Sequence, residues 1–240
     1  LGDVYKRQTV ASIFVNPTQF TKKEDLDNYP RALENDLNLL KNSSCDVVFI
    51  PSVEEIYTDN ISSHQFDFDG LETEMEGKYR EGHFNGVGTV VKKLFEIILP
   101  TNAYFGEKDF QQLQIIKKLV EKTTLDVNIV CCVTHREANG LAMSSRNARL
   151  NSQEKESASM IYHTLCGVKD KIEKLPLFAI HKWVSEQFEK HPLFELEYFT
   201  IAEEETLKSA TKISPKKTYR AFIAAYARKV RLIDTISLSS

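Results

Sequence analysis

The sequence predicts an α/β protein with a mainly parallel sheet, followed by a small α+β domain. In the first part of the chain, short apolar runs alternate with segments of helical periodicity, as in doubly wound folds. Beyond about Asn151, a Glu/Lys-rich helical stretch and a second helix precede three strand-like runs that have no helical pattern between them. We therefore predict two domains, residues 1–146 and 147–240, with the boundary near residues 146 to 150.

The strands of the first domain are predicted from short apolar runs. These runs are TVASIFVN (9–16), CDVVFIPS (45–52), AYFG (103–106) and NIVCCVTH (128–135). The first is nearly continuous and rich in β-branched residues, which is typical of a parallel strand covered on both faces. Apolar residues at helical spacing predict helices over 31–41, 84–98 and 113–120. Ligands of such sheets bind in loops at the carboxyl ends of the strands.

The second domain has a helix around residues 180–188 and three predicted strands. The strand-like runs are ELEYFTIA, YRAFIAAYA and KVRLIDTISL. The first eight residues, LGDVYKRQ, are too short and too polar to supply the strand and helix that normally precede a central strand. We expect the natural N-terminus to be missing and this prefix to be foreign or misread.

Composition excludes several classes of protein. Thirty-one Lys and Arg against 34 Asp and Glu give a net charge of −3, without the excess of cations that a general nucleic-acid binder needs. No apolar stretch approaches the ~20 residues that cross a bilayer. The four cysteines lack CxxC spacing, so neither a zinc site nor a disulfide framework is indicated. We expect a cytoplasmic protein that binds neither nucleic acid nor membranes.

Four polar clusters at predicted strand ends or in loops are the candidate functional segments. They are Asn16–Gln19, Arg80–Asn85, Gly106–Gln112 and Met143–Asn147. No Walker loop is present, and Gly86-Val87-Gly88 lacks the third glycine of a dinucleotide fingerprint. Other phosphate- or substrate-binding arrangements therefore have to be considered.

Two of the clusters are suited to anions. Lys108 and Asp109 stand at the start of a predicted helix, whose free N–H groups favour phosphate, although a solvated ion pair would explain them as well. Ser144, Ser145 and Arg146 could hold several phosphate oxygens together, with the guanidinium making bidentate contacts. A Ser-rich turn that caps a helix is the alternative for this second cluster.

The other two clusters are less specific. Asn16 and Gln19 could bind a small hydroxylated or carboxylated substrate, or they could form an ordinary Asx turn beside Pro17. His83 could be a general acid or base, but we favour a structural role. The glycines around it allow tight turns or the close approach of another segment.

The motifs SIFVNPTQF, EGKYREGHFNGV, FGEKDFQQL and GLAMSSRN, in this order and at these separations, resemble the pantoate–β-alanine ligase (pantothenate synthetase) family. The resemblance implies a homodimeric cytoplasmic enzyme of vitamin B5 and coenzyme A synthesis. Such an enzyme uses ATP and Mg²⁺ to join pantoate to β-alanine through a pantoyl adenylate, and releases AMP and pyrophosphate. It also implies a Rossmann-like nucleotidyltransferase domain, related to class I aminoacyl-tRNA synthetases, with a smaller C-terminal domain that closes over the site.

The resemblance also assigns roles to individual residues. Gln19 resembles the residue that contacts pantoate and β-alanine, with Asn16 beside it, and Gln112 resembles a second pantoate-binding amide. The implied catalytic cations are Lys108 and Arg146. His135 falls where the family usually has an apolar residue near the adenine, and the metal ligands are unknown. The full set of implied ATP-binding residues is Gly106, Glu107, Lys108, Asp109, His135, Met143, Ser144, Ser145 and Arg146.

One departure from the family pattern weakens the expected activity. The family has an N-terminal PTMGxLHxGH-like loop, whose histidines bind ATP phosphates, and this sequence contains no HxGH. His83 matches a different motif and cannot replace that pair. We therefore expect a fragment with a compromised sheet and little or no activity.

Two other functions remain open at this point. The first is an acid:amine ligase of the same fold with another substrate, which pantoate-dependent formation of AMP would distinguish. The second is a non-catalytic dimerisation or regulatory relative, which dimer formation without ATP binding would favour.

Overall fold

A computed structural model of the chain describes residues 7–239, and it confirms the α/β class. The prediction that the prefix LGDVYKRQ is foreign or misread concerns residues 1–8, and residues 1–6 lie outside the described part. The strands of the first half are β1 (Val10–Ser12), β2 (Val47–Phe49), β3 (Asn102–Gly106) and β4 (Asn128–Cys132). Its α-helices are α1 (Lys23–Asp27), α2 (Leu33–Asn42), α3 (Val53–Ile56), α4 (Glu76–Tyr79), α5 (His83–Ile98) and α6 (Phe110–Thr123).

The parallel strands form two separate pairs. Strand β1 pairs with β2, β3 pairs with β4, and in the described part of the chain no ladder joins the two pairs. They are held together instead by an apolar cluster around α5. Phe14, just after β1, and Phe49 of β2 contribute to this cluster, as do Phe105 of β3 and Ile129 of β4.

Two predicted strands are shorter than expected, and for identifiable reasons. Run 9–16 forms a strand only over Val10–Ser12, because its partner β2 ends where Pro51, which has no N–H to donate, leads into the start of α3. Run 128–135 ends at Cys132, because β3 passes into a 3₁₀-helix (Glu107–Asp109) beside it. The prediction that the first strand is covered on both faces is also wrong, since Val10 and Ser12, which share one face, are exposed.

The second half contains helices and one antiparallel sheet. The helices are α7 (Ser152–Ser157), α8 (Ser159–Lys171) and α9 (Leu177–Glu189), and the strands are β5 (Phe194–Glu203), β6 (Tyr219–Ala227) and β7 (Val230–Ser237). The sheet order is β5-β6-β7, so β6 is central and almost entirely buried. All three strands agree with the sequence prediction.

Strand β6 faces two different apolar clusters. Side chains alternate between the faces of a strand, and Ala221, Ile223 and Ala225 pack with α8 and α9. Phe222 points the other way, into the cluster formed by α5 and α6. The antiparallel sheet therefore supports the first half of the molecule directly, and the domain boundary near residue 146 stays a prediction.

Among residues 7–239, no helix combines the length and the apolar character that a membrane crossing requires.

Candidate active site

Two adjoining cavities lie between the loops of the first half and the antiparallel sheet. Their volumes are about 320 and 570 Å³, within the range of small-molecule sites. Of the predicted site residues, Lys108, Asp109, Ser144 and Arg146 line both cavities. The smaller cavity is lined in addition by Gln19, Gln112, Met143 and Ser145. The lining of neither cavity includes Asn16, Gly106, Glu107 or His135.

Gln19 is held in place from both sides. It ends a 3₁₀-helix (Pro17–Gln19), and its side-chain oxygen accepts a hydrogen bond from Asn16 Nδ2 at 3.4 Å. Its backbone carbonyl accepts from His83 Nδ1 at 2.8 Å and from Arg80 Nη2 at 3.5 Å. Gln19 thus enters the cavity from a backbone position that is fixed before any ligand binds.

Asn16 supports this arrangement from beneath the cavity. It is buried, its Oδ1 accepts from the Tyr57 hydroxyl at 2.6 Å, and its Nδ2 donates to the carbonyl of Gly86 at 3.1 Å. The close approach requires glycine, since a Cβ at Gly86 would lie 2.4 Å from the carbonyl oxygen of Thr18. The amide of Asn16 is therefore engaged inside the protein rather than directed at the cavity.

His83 begins α5 and is buried against Gln19 and Arg80. Burial, with the charge of Arg80, lowers its pKa to about 4, so the imidazole is neutral at neutral pH. A neutral ring can donate from Nδ1 to the Gln19 carbonyl while Nε2, 3.2 Å away, accepts from Arg80 Nη1. With both ring nitrogens engaged, this geometry favours the structural role.

The Gly106–Gln112 segment brings a cation to the cleft at the start of a long helix. Lys108 lies in the 3₁₀-helix that runs directly into α6, and its Nζ is 3.6 Å from Asp109 Oδ2. Gln112 lies in the first turn of α6 and lines the smaller cavity. Glu107 is turned away from the cavities, towards Arg220 and the backbone N–H of Thr134.

The Met143–Arg146 segment brings a second cation to the same cleft. Ser144 caps a 3₁₀-helix (Ser145–Arg149), and its Oγ accepts from Arg146 N at 3.3 Å, so the capping alternative considered from sequence is present at an anion-suited position. Arg146 Nη2 donates to Asp25 Oδ2 at 2.8 Å, and Ser145 donates to the Tyr29 hydroxyl at 2.9 Å. Burial opposes the charge on Asp25, but Arg146 outweighs it and lowers the pKa of that carboxyl.

Among the described hydrogen bonds, His135 contacts the Met143–Arg146 segment only through its backbone. Its side chain is exposed, and its carbonyl accepts from Met143 N at 3.0 Å. A backbone contact of this kind is compatible with many side chains at position 135, which is consistent with a polar residue standing there.

Sequence reasoning missed a buried ionic network at the floor of the smaller cavity. Glu76 forms a bidentate pair with Arg231 (2.7 and 2.8 Å), and Tyr198 donates to it at 2.7 Å. Burial raises the pKa of Glu76, but the hydrogen bonds and charge of Arg231 prevail and set it to about 2. Arg231 lies 155 residues from Glu76, and no local pattern links them.

Comparisons with known proteins agree with this architecture. Residues 3–237 match the model of the family described as pantoate-beta-alanine ligase. The chain is 53% identical to the pantothenate synthetase of Flavobacterium psychrophilum over 231 residues, which are 96% of this chain and 82% of that protein. It is also 53% identical to the pantothenate synthetase of Christiangramia forsetii over 234 residues, covering 97% and 83% of the two chains.

Solved structures are similar as well. The crystal structure of pantothenate synthetase from Thermus thermophilus superposes with a TM-score of 0.90 at 35% identity and covers 97% of this chain and 84% of that one. The Francisella tularensis pantoate-beta-alanine ligase, solved with beta-gamma ATP and beta-alanine, gives a TM-score of 0.76 at 33% identity, with 98% and 81% covered. The chain belongs to the pantoate–β-alanine ligase family.

Proposed function

We propose that this protein catalyses the ATP-dependent condensation of pantoate with β-alanine to give pantothenate. The observation that carries the proposal is the convergence of two amides and two cations on one cleft. Gln19 and Gln112 line the smaller cavity, and Lys108 and Arg146 line both. The Francisella relative, which was solved in complex with beta-gamma ATP and beta-alanine, supports the same ligands here.

Gln19 and Gln112 are suited to pantoate. A primary amide both donates and accepts, so it can bind a carboxylate as well as a hydroxyl group. Because hydrogen bonds to Asn16, His83 and Arg80 already orient Gln19, little ordering is needed when the substrate binds. We assign Asn16 to this supporting role.

Lys108 and Arg146 are suited to the triphosphate of ATP. In the first step the pantoate carboxylate attacks the α-phosphorus, a new O–P bond forms, the bond to the β-phosphate oxygen breaks, and pyrophosphate leaves. Preorganised cations stabilise the charge that develops on the phosphoryl oxygens and on the leaving group. Ser144, Ser145 and the start of α6 add hydrogen-bond donors to the same region.

The second step uses the activated acyl group. The neutral amine of β-alanine attacks the acyl carbon, the C–N bond forms, the C–O bond to the phosphate breaks, and AMP leaves with the loss of one proton from nitrogen. Holding the two reactants side by side contributes most of the acceleration in such a transfer. No protein nucleophile is required.

Mg²⁺ fits this site as a partner of ATP. In the described part of the chain, no group of three or more His, Cys, Asp or Glu side chains could hold a metal ion by itself. Mg²⁺ commonly uses one or two carboxylates together with substrate phosphates and water. Asp109, a half-exposed carboxylate that borders both cavities, would hold it. When bound, the ion neutralises phosphate charge and favours departure of pyrophosphate.

Two properties of the whole protein follow from the family resemblance and are part of the proposal. We expect a homodimer in the cytoplasm. Sedimentation equilibrium would measure the mass of the particle, and a monomer at micromolar concentration would contradict the dimer.

The test of function is formation of AMP from ATP at high enzyme concentration, measured with and without pantoate and β-alanine. Pantoate-dependent AMP and β-alanine-dependent pantothenate are expected. AMP formation with other acids but not with pantoate would favour a different ligase. The non-catalytic alternative, which the family comparisons do not favour, requires a dimer that does not bind ATP. A rate like that of a full-length relative would contradict the expectation of low activity.

A further inference from the structure

Arg220 is a buried arginine outside the predicted site, on the face of β6 that is directed at the first half of the molecule. Its side chain is 6% exposed. Nη2 donates to Glu107 Oε2 at 3.1 Å, and Nε donates to Glu204 Oε1 at 3.0 Å. The guanidinium carbon also lies 4.2 Å from the centre of the Phe110 ring, in a cation–π contact.

These contacts flank Lys108 and Asp109 in the sequence. Glu107 comes directly before this pair and Phe110 directly after it, so one guanidinium holds both ends of a two-residue segment that borders the cavities. Phe110 is buried and packs against Phe222 of β6, with ring centroids 6.1 Å apart. The segment is thus fixed to the antiparallel sheet by charge and by apolar packing.

The partners of Arg220 extend the support further. The second carboxylate oxygen of Glu107 accepts from Thr134 N at 3.4 Å, just beyond the end of β4. The carbonyl of Glu204 accepts from Gln114 Nε2 at 3.0 Å, in the second turn of α6. Arg220 therefore lies at the centre of contacts that join the sheet to the end of β4 and to the start of α6.

We infer that Arg220 is a positioning residue for ATP binding. Through Glu107 and Phe110 it fixes the backbone of residues 107–110, and thereby the place from which Lys108 and the start of α6 meet the phosphates. Glu107 acts as the partner of Arg220 rather than as a direct ATP contact. This inference rests on the proposed function, because it assigns phosphate binding to Lys108.

The physical reason for a large effect is that the arrangement is buried. Removing one partner of such a pair leaves the other charge without compensation, and the segment must then move or admit water. A displacement of about 1 Å in a group that positions the substrate can lower kcat/KM by roughly 100-fold. Gln19, one of the two amides assigned to pantoate, is fixed by Asn16, Arg80 and His83 and not by Arg220 in the described hydrogen bonds, so the binding of pantoate should change less.

Three substitutions separate positioning from general stability. Arg220→Met keeps the apolar stem over Phe110 and removes the charge, Arg220→Lys keeps a charge but not the planar fork, and Glu107→Gln weakens the ion pair without leaving a carboxylate unpaired. For Arg220→Met we expect the KM for ATP to rise by roughly 10- to 100-fold while the KM for pantoate changes less than about 3-fold. Arg220→Lys should recover part of the loss, and Glu107→Gln should give a smaller change of the same kind.

Two control variants complete the experiment. Lys217→Gln breaks a partly exposed ion pair with Glu203 of the same sheet and should leave the KM for ATP unchanged. Val184→Ala lowers stability through the second apolar cluster, away from residues 107–110, and should lower the melting temperature without changing the KM for ATP.

The outcomes are distinguishable. Suppose that the unsubstituted chain uses ATP and that Arg220→Met and Glu107→Gln leave the KM for ATP unchanged. This outcome would overturn the inference but not the proposed function. The inference would also be overturned if Val184→Ala raised the KM for ATP as much as Arg220→Met does. An unsubstituted chain that neither binds nor uses ATP would overturn the proposed function, and the inference with it.

Discussion

The two segments that bring a cation to the cleft are supported in different ways. The segment around Lys108 is fixed to the buried antiparallel sheet by Arg220, through Glu107 and Phe110. The segment around Arg146 is held near the surface by Asp25 and Tyr29, which belong to α1 and the turn after it. One cation is placed by the core of the protein, and the other by a short helix that borders the opening of the larger cavity.

This difference indicates that Lys108 is preorganised for phosphate, whereas Arg146 exchanges a carboxylate partner for phosphate. The backbone that carries Lys108 is fixed on both sides by buried contacts, and its Nζ lies 3.6 Å from Asp109 Oδ2. A fixed backbone favours the stabilisation of developing charge. Arg146 already has a carboxylate partner, and its pair with Asp25 is partly exposed, a setting in which an ion pair contributes only about 0–1 kcal/mol. A phosphate can replace that carboxylate at little cost. We therefore expect changes on the sheet side to have larger effects than changes near α1.

The largest effect is expected where the sheet meets the floor of the cleft. Arg231→Met leaves Glu76 buried without its bidentate partner, and loss of one partner of a buried pair costs about 3–5 kcal/mol. Urea unfolding at pH 7 would measure the change. The double variant Arg231→Met with Glu76→Gln should be more stable than the single one. A loss below about 1 kcal/mol would put this pair in the range of surface pairs and would remove the contrast between the two sides.

The next effect concerns catalysis. Lys108→Gln removes a preorganised cation, and loss of one such group lowers kcat by about 10²- to 10³-fold. Arg146→Gln should cost less, because the role of that side chain includes exchange with Asp25. Steady-state rates with saturating pantoate and β-alanine would compare the two variants. Equal losses of kcat in the two variants would show that the two cations contribute equally to catalysis, although their segments are supported differently.

Some elements of the fold could be predicted from the sequence, and others could not. The spacing that predicts helix 84–98 is found as α5, and the three C-terminal runs form β5 to β7, because amphipathic periodicity is a local property. The loops with Gln19, Lys108 and Arg146 are indeed brought to one cleft. Strand lengths were predicted less well, since the end of β1 depends on its partner β2, which is followed closely by Pro51.

The supports of the site were not predictable in the same way. Arg220 is 113 residues from Glu107, and Arg231 is 155 residues from Glu76. Single arginines in strand-like runs resemble ordinary surface positions until the fold buries them. Asn16 shows the converse, because its place beside Gln19 in the sequence indicates a ligand contact, whereas the structure uses its amide beneath the cavity.

A moderate effect is expected from acid. The folded pKa of His83 is about 4, below its ordinary value of 6.5, so the unfolded chain binds a proton first and stability falls as the pH drops from 6.5 towards 4. One such group changes the unfolding free energy by at most about 1.4 kcal/mol per pH unit. Glu76, with a pKa of about 2, contributes in the lower window from 4.5 to 2.

Urea unfolding between pH 7 and 4.5 would measure this dependence. His83→Gln should flatten the curve between pH 6.5 and 4.5, because Gln cannot titrate. An unchanged slope in that variant would show that other groups cause the loss. Activity in the same range should not report deprotonation of His83, because its neutral form predominates throughout.

The smallest effect is expected at Asp25. Asp25→Asn removes the carboxylate that Arg146 and Arg149 share, at distances of 2.8 and 3.4 Å, and should change the unfolding free energy by less than about 1 kcal/mol. If Arg146 exchanges this partner for phosphate, the variant should bind ATP a few-fold more tightly, since no carboxylate then competes. Calorimetric titration would measure the affinity for ATP, with Asp27→Asn as a control on the same helix. Weaker ATP binding would show that Asp25 orients Arg146 for the nucleotide, and both segments would then be preorganised.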